Sequence, residues 1–173
     1  NPVYREHLDA AAAALDPHLP AGLFAAVFGD DPDLDHTSVA QPALFAVSYA
    51  LGKTLLQSGI RPVFGIGHSI GEYVAATLAG VFELNDALAL VAARGRLMQG
   101  VAPGSMLAVP LPEAELTPLL GGELSLAAVN APALCVAAGP PTAVDALEAT
   151  LKARGVETRR LQTSHAFHSR MMD

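Results

Sequence analysis

The stretch Val63-Phe64-Gly65-Ile66-Gly67-His68-Ser69-Ile70-Gly71-Glu72-Tyr73 admits few backbone arrangements. It reads as a short apolar strand, a turn with glycine two residues either side of a serine, and the start of a helix. Gly67-x-Ser69-x-Gly71 is the pattern of a nucleophile elbow, in which a sharp strand-to-helix turn holds a hydroxyl at the strand's end. In that geometry the N–H of Ile70 points where an oxyanion would form. The first-turn amides of the helix favour the same negative charge. A strand that feeds a helix in this way calls for an α/β layer fold.

Other readings of the same glycines fail on spacing. Gly65-x-Gly67-x-x-x-Gly71 misses the dinucleotide fingerprint because Ile70 occupies the third glycine's place, and Asp86 sits at a helix start instead of a strand end. Gly52-Lys53-Thr54 resembles the end of a phosphate loop, but Val47 stands where that loop needs glycine. The aspartates of 29–35 lack the glycine and terminal glutamate of an EF-hand and read as a turn-rich, solvated acidic loop. A net charge of −7 with no Lys/Arg cluster argues against a nucleic-acid partner. The single cysteine, Cys135, lies in an apolar run and reads as a small core residue. No apolar run approaches the ~18 residues of a membrane span, and no basic-then-apolar leader opens the sequence. The expectation is a soluble, cytoplasmic protein without a membrane partner, or a segment cut from a longer polypeptide.

Along the chain, helices are expected over 4–15, 39–58, 71–78 and 85–99, with a short apolar piece at 22–28. Thr37 or Ser38 would cap the second of these, and Leu44, Val47, Leu51 and Leu55 would form its buried stripe. Asn85 would cap the last. After Pro103-Gly104 the elements shorten: strand 106–110, helix 113–120, strands 124–129 and 134–138, helix 142–153, strand 156–161. That β-α-β-β-α-β order is the ferredoxin-like unit. The expected fold class is therefore α/β: an α/β-hydrolase-like subdomain (1–103 and 163–173) with an inserted ferredoxin-like subdomain (104–162).

A serine hydroxyl needs a base within hydrogen-bond reach. His7, His18 and His36 read as surface residues. His68 adjoins Ser69, but neighbouring side chains on a tight turn diverge, and its role there is to fix the turn. His165 and His168 remain, both where the inserted unit hands the chain back, and either could serve. Arg94 sits in an apolar helix, where a guanidinium is costly unless paired. A snorkelling or ion-paired arginine and a bidentate clamp for a substrate carboxylate are both open readings.

Together these residues resemble the acyltransferase domains of modular type I polyketide synthases, relatives of malonyl-CoA:acyl carrier protein transacylase. The resemblance is carried by Gly67-His68-Ser69-Ile70-Gly71-Glu72-Tyr73, Ala92-Ala93-Arg94-Gly95-Arg96-Leu97-Met98-Gln99, Val129-Asn130-Ala131-Pro132 and Ser164-His165-Ala166-Phe167-His168-Ser169, in that order. Ala40-Gln41-Pro42-Ala43-Leu44-Phe45 fits the family's upstream helix. The resemblance implies that Ser69 is the acylated nucleophile, His168 the general base and acid, and Ile70 an oxyanion donor. It implies that Arg94 pairs with the free carboxylate of the extender unit, with His68, Gln41, Asn130, His165 and Phe167 also on the substrate. It further implies malonyl-CoA as substrate, the phosphopantetheine of an acyl carrier protein as acceptor, and neighbouring synthase domains such as the ketosynthase as partners. No metal and no permanently bound cofactor are implied. Phe167 within His165-Ala166-Phe167-His168 looks like the malonyl-selecting form, since its bulk would meet an added methyl. A methylmalonyl or other acyl-CoA, a serine hydrolase or thioesterase, and a non-catalytic binding module are the alternatives. The family's Gly-Gln-Gly turn, whose glutamine completes the oxyanion hole, has no counterpart here, so an incomplete domain is expected at both ends.

Overall fold

The computed structural model describes residues 1–30 and 33–173, which gather into two compact units, Asn1–Gln99 and Gly100–Asp173. Asp31 and Pro32, in the middle of the expected acidic loop, lie outside the described residues.

The first unit is helical. Helix α1 (Pro2–Leu15) starts where the Asn1 side chain accepts the N–H groups of Val3 and Tyr4, with proline at its first position. The Asp16 carboxylate accepts the Leu23 N–H at 3.0 Å and so starts the short α2 (Leu23–Phe28). Helices α3 (Thr37–Gln57), α4 (Ile70–Leu78) and α5 (Leu84–Gln99) complete the unit. Its core joins Leu8 and Leu15 of α1, Leu23 of α2, Phe45 of α3 and Leu88 and Val91 of α5, all essentially without exposure.

Four expectations change here. The buried stripe of α3 is Val39, Ala43, Ala46, Tyr49 and Ala50 with Phe45, whereas Leu44, Leu51 and Leu55 are exposed. The helix is apolar nearly all round, and the face carrying the small residues wins because it lets neighbouring helices approach. A Cβ at Gly95 of α5 would stand 2.8 Å from the Thr37 carbonyl oxygen. Neither Thr37 nor Ser38 caps α3; the Thr37 N–H is instead received by Gln99 of α5 at 2.8 Å. Helix α5 begins one residue before Asn85, whose place is inside the first turn. The apolar run before the elbow, 63–66, is not a strand: no strand of this unit, among the described residues, offers it a ladder. Val63, Phe64 and Ile66 consequently stand at 95%, 83% and 85% exposure.

The second unit is the β-α-β-β-α-β arrangement. Strands β1 (Ser105–Val109), β2 (Ser125–Ala131), β3 (Leu134–Gly139) and β4 (Arg159–Arg160) form one antiparallel sheet in the order β2-β3-β1-β4. Leu107 stands opposite Ala137 on one side and Arg160 on the other. Alternation sends Leu107, Val109, Cys135 and Ala137 to one face, under α6 (Glu113–Leu116) and α7 (Pro141–Ala153). Met106, Val136 and Ala138 point to the other face, where Ala166, Phe167 and Met171 cover them. The tail 163–173 is thus packed on this sheet.

Helix α6 gives way to a 3-10 turn, Thr117–Leu119, at Pro118, which lacks the N–H an α-turn requires. The last strand is far shorter than 156–161. Gly155, at φ 75°, donates to the Lys152 carbonyl and Val156 to that of Leu151. This paired closure of α7 takes up the residues expected to open the strand. No described helix is long and apolar enough to cross a membrane.

Candidate active site

Ser69 is the residue before α4 and has φ 53° and ψ −115°. A non-glycine residue held there costs about 1–3 kcal/mol and persists only where its surroundings over-determine it. Local bonds contribute to this. The Gly71 N–H donates to the His68 carbonyl at 3.0 Å and the Glu72 N–H to the Ser69 carbonyl at 3.1 Å. The Glu72 carboxylate, from the first turn of α4, reaches back to accept the Gly67 N–H at 2.9 Å. Gly67 is sterically obligatory, since a Cβ there would lie 2.1 Å from the Glu72 nitrogen and the Gly71 carbonyl carbon. Gly71 is not: nothing stands within 4 Å of the equivalent position. A serine at this place commonly caps its helix, yet the Ser69 hydroxyl makes no cap. It is half-buried. Ile70 opens α4, so its N–H has no partner four residues back within the helix. His68 is exposed.

Arg94, half-buried on α5, is paired. Its guanidinium donates to the side-chain oxygen of Gln41 on α3 and lies over the Tyr73 ring of α4, 5.8 Å from the centroid. Gln41 is buried, and its amide nitrogen donates to the Met98 sulfur at 3.4 Å. Both ends of that amide are engaged, which orients its oxygen toward Arg94. Arg94 therefore keeps donors beyond the one that Gln41 accepts, on a fork with five N–H groups. Tyr73, which belongs to the elbow motif, is the partner that sequence reasoning missed. Its place one turn beyond Ser69 on α4 was the available signal.

In the second unit, Ser164–Ser169 forms a braced loop. The Gly104 N–H donates to the Ser164 carbonyl at 3.0 Å, and the Ser169 hydroxyl donates to the Ala166 carbonyl at 2.6 Å. His165 is buried, its Nδ1 2.8 Å from the Ser164 hydroxyl and its ring stacked on Phe167 at 6.2 Å. His168 is exposed and has φ 57°, the other non-glycine residue with positive φ among the described residues. Burial and the Ser164 contact hold His165 in the scaffold, whereas His168 stands at the strained tip. Asn130 is exposed near the end of β2. The structure thus brings Gln41, Arg94 and Tyr73 together in one unit and His165 and Phe167 together in the other.

His7, expected at the surface, is half-buried, beside Gln57 and edge-on to Tyr49. Among the described residues, no three His, Cys, Asp or Glu side chains cluster closely enough to hold a metal ion.

Comparison with known proteins gives a consistent picture. The profile of the family described as "Acyl transferase domain" matches residues 1–173. Mycoketide-CoA synthase of Mycobacterium tuberculosis is 48% identical over 174 residues, covering 99% of this chain and 4% of that protein. The acyl transferase domain of SpnD, solved in complex with 2-(pent-4-yn-1-yl)malonyl, superposes with a TM-score of 0.93 at 46% identity over all of this chain and 42% of that one. The malonyl CoA-acyl carrier protein transacylase of Coxiella burnetii gives a TM-score of 0.88 at 31% identity, covering 99% of this chain and 57% of its own. The chain spans a small fraction of the curated synthase and about half of each solved structure. Matched along its whole length, with the α/β architecture of those domains, the chain belongs to the acyl transferase domain family of polyketide synthases.

Proposed function

We propose that this chain loads a malonyl extender unit from malonyl-CoA onto the phosphopantetheine thiol of an acyl carrier protein, through a seryl ester on Ser69. The observation that carries the reading is the elbow: a serine at φ 53° whose hydroxyl does not cap the helix it precedes. In the proposed cycle, His168 takes the Ser69 proton as the oxygen attacks the thioester carbonyl. The Ile70 N–H receives the developing oxyanion. Collapse of the tetrahedral intermediate expels CoA thiolate, which His168 reprotonates. The carrier thiol then gives its proton to His168, attacks the seryl ester, and regenerates the Ser69 hydroxyl.

Arg94 holds the free carboxylate of the extender with the donors that Gln41 leaves open. Its seat over the Tyr73 ring supports this reading, because a cation–π contact uses the guanidinium's charge without occupying its N–H donors. The same proposal assigns His68, Asn130, His165 and Phe167 to the acyl group. The name of the Coxiella relative supports malonyl, and the ligand of the SpnD domain supports a larger 2-substituted malonyl as second reading. Phe167, stacked on His165, favours the smaller group. Neighbouring synthase domains, a ketosynthase among them, and a cytoplasmic setting belong to the same proposal. So does the division into a hydrolase-like subdomain (1–103 and 163–173) interrupted by 104–162.

The test is intact-mass analysis of the full-length protein after exposure to malonyl-, methylmalonyl- and acetyl-CoA. A malonyl adduct that maps to Ser69 and moves to carrier protein is expected. Hydrolysis of the thioester to free acid in preference to transfer would make the protein a thioesterase.

A further inference from the structure

The sequence Ser69-Ile70-Gly71-Glu72 has the spacing of a capping box, in which the glutamate three residues after the cap reaches back to the cap's own N–H. Here the reach is longer. The Glu72 carboxylate passes Ser69 and accepts the N–H of Gly67 at 2.9 Å, before the turn has begun. Among the hydrogen bonds that close the segment Gly67–Glu72 are two from backbone to backbone and this one through the Glu72 side chain. The backbone pair, His68 to Gly71 and Ser69 to Glu72, ties the turn to α4 on its helical side. Glu72 ties the incoming chain to α4, and Gly67 is the residue whose missing Cβ lets that chain lie against Gly71 and Glu72.

We propose that Glu72 is a positioning residue for Ser69, clamping Gly67 against α4 so that the serine is held at positive φ with its hydroxyl turned off the helix end. The assignment rests on the acyl-transfer reading for its kinetic consequence, although not for its structural one. Charge is not what the clamp needs. A carboxylate in the first turn favours the helix, but it opposes an oxyanion forming at the same helix end. If the acceptor oxygen matters, Glu72→Gln keeps the function and Glu72→Ala loses it. If the charge matters, the two variants behave alike. Glu72 is exposed and lies in a helix, so both substitutions are compatible with folding.

The experiment uses the full-length protein and its Glu72→Ala and Glu72→Gln variants. Ser69 acylation by malonyl-CoA is followed across substrate concentration, and hydrogen exchange is followed at the Gly67 amide. For Glu72→Ala, the expected results are a saturating rate lower by about 10- to 100-fold with the half-saturating concentration unchanged, and lost protection at Gly67. Glu72→Gln is expected within about threefold of the parent, with Gly67 still protected. Parent-like Gly67 exchange in Glu72→Ala overturns the proposal, as does equal slowing of both variants. Should the parent take no malonyl group, the acyl-donor reading fails by itself. The rate of Ser69 labelling by a fluorophosphonate then supplies the same ratios, and the Gly67 exchange keeps its meaning.

Discussion

The two glycines of the elbow motif carry opposite expectations, although the motif treats them as a pair. A methyl group at Gly67 would sit 2.1 Å from the Glu72 nitrogen and the Gly71 carbonyl carbon and 2.3 Å from the Gly71 oxygen. All three are backbone atoms, so no side-chain rotation relieves the contact, and the turn must open by more than an ångström. Overpacking of this kind costs about 1–3 kcal/mol. Opening the turn also stretches the bond from Gly67 to Glu72 and releases Ser69 from its strained conformation. Gly67→Ala is expected to lower the Ser69 acylation rate by about 100-fold, the scale on which an ångström of misplacement acts. At Gly71, inside α4 and with nothing within 4 Å, alanine replaces the residue with the poorer helix propensity. That change stabilises by about 0.8–1 kcal/mol, or about 2–4 °C in midpoint for a chain of this size. Thermal unfolding by circular dichroism and acylation by intact mass decide the matter in parallel. Equal loss of activity in the two variants, or an unperturbed Gly67→Ala, would refute the steric argument.

Arg94→Ala should cut malonyl loading by about 10- to 100-fold, from loss of a charge-assisted pair, and change acetyl loading far less; competition between the two CoA esters measures this directly. Phe45→Ala, in the core, is expected to cost about 3–5 kcal/mol, whereas Leu44→Ala beside it should stay within about 0.5 kcal/mol, as urea unfolding will report. Burial, and secondarily the charge of Glu113, pushes the Cys135 thiol above its ordinary value, so the folded chain holds that proton longer than the unfolded one. Its contribution is complete below the ordinary thiol pKa of about 8.5 and declines as pH rises above it, so Cys135→Ala should flatten the fall in stability between pH 8 and 10. Arg160→Ala should cost less than about 1 kcal/mol despite contacts to both Asp145 and Glu148, because all three side chains are more than a third exposed or close to it.

Local sequence was most informative where geometry is set within a few residues. The turn at Ser69, the β-α-β-β-α-β order and the proline and glycine stops depend on neighbours in the chain. Where two answers had equal local support, the sequence could not choose. Helix α3 carries a leucine stripe and an alanine-rich stripe, and the alanines are buried because α1 and α5 pack closely against them. The run 63–66 had a strand's composition, but a strand exists only with a ladder. Gln41 entered through family resemblance alone; its hydrogen bond to Arg94 spans two helices and leaves no local pattern. Glu72 did leave one, in the capping-box spacing. It is easily passed over because Ser69 already accounted for the motif.

The braced loop bearing His168 lies on the same sheet that carries α6 and α7 on its opposite face. Ala166 closes over Met106, Val136 and Ala138, and Ser164 is tied to Gly104 at the entrance to β1. The loop is therefore inherited together with the sheet. A chimera joined at residue 163 would set one synthase's histidine loop on another's floor, with foreign side chains beneath Ala166 and Phe167. A joint at 99–100 moves loop and floor as one piece, and that is where recombination between relatives can exchange His165, Phe167 and His168 without repacking the surface that supports them.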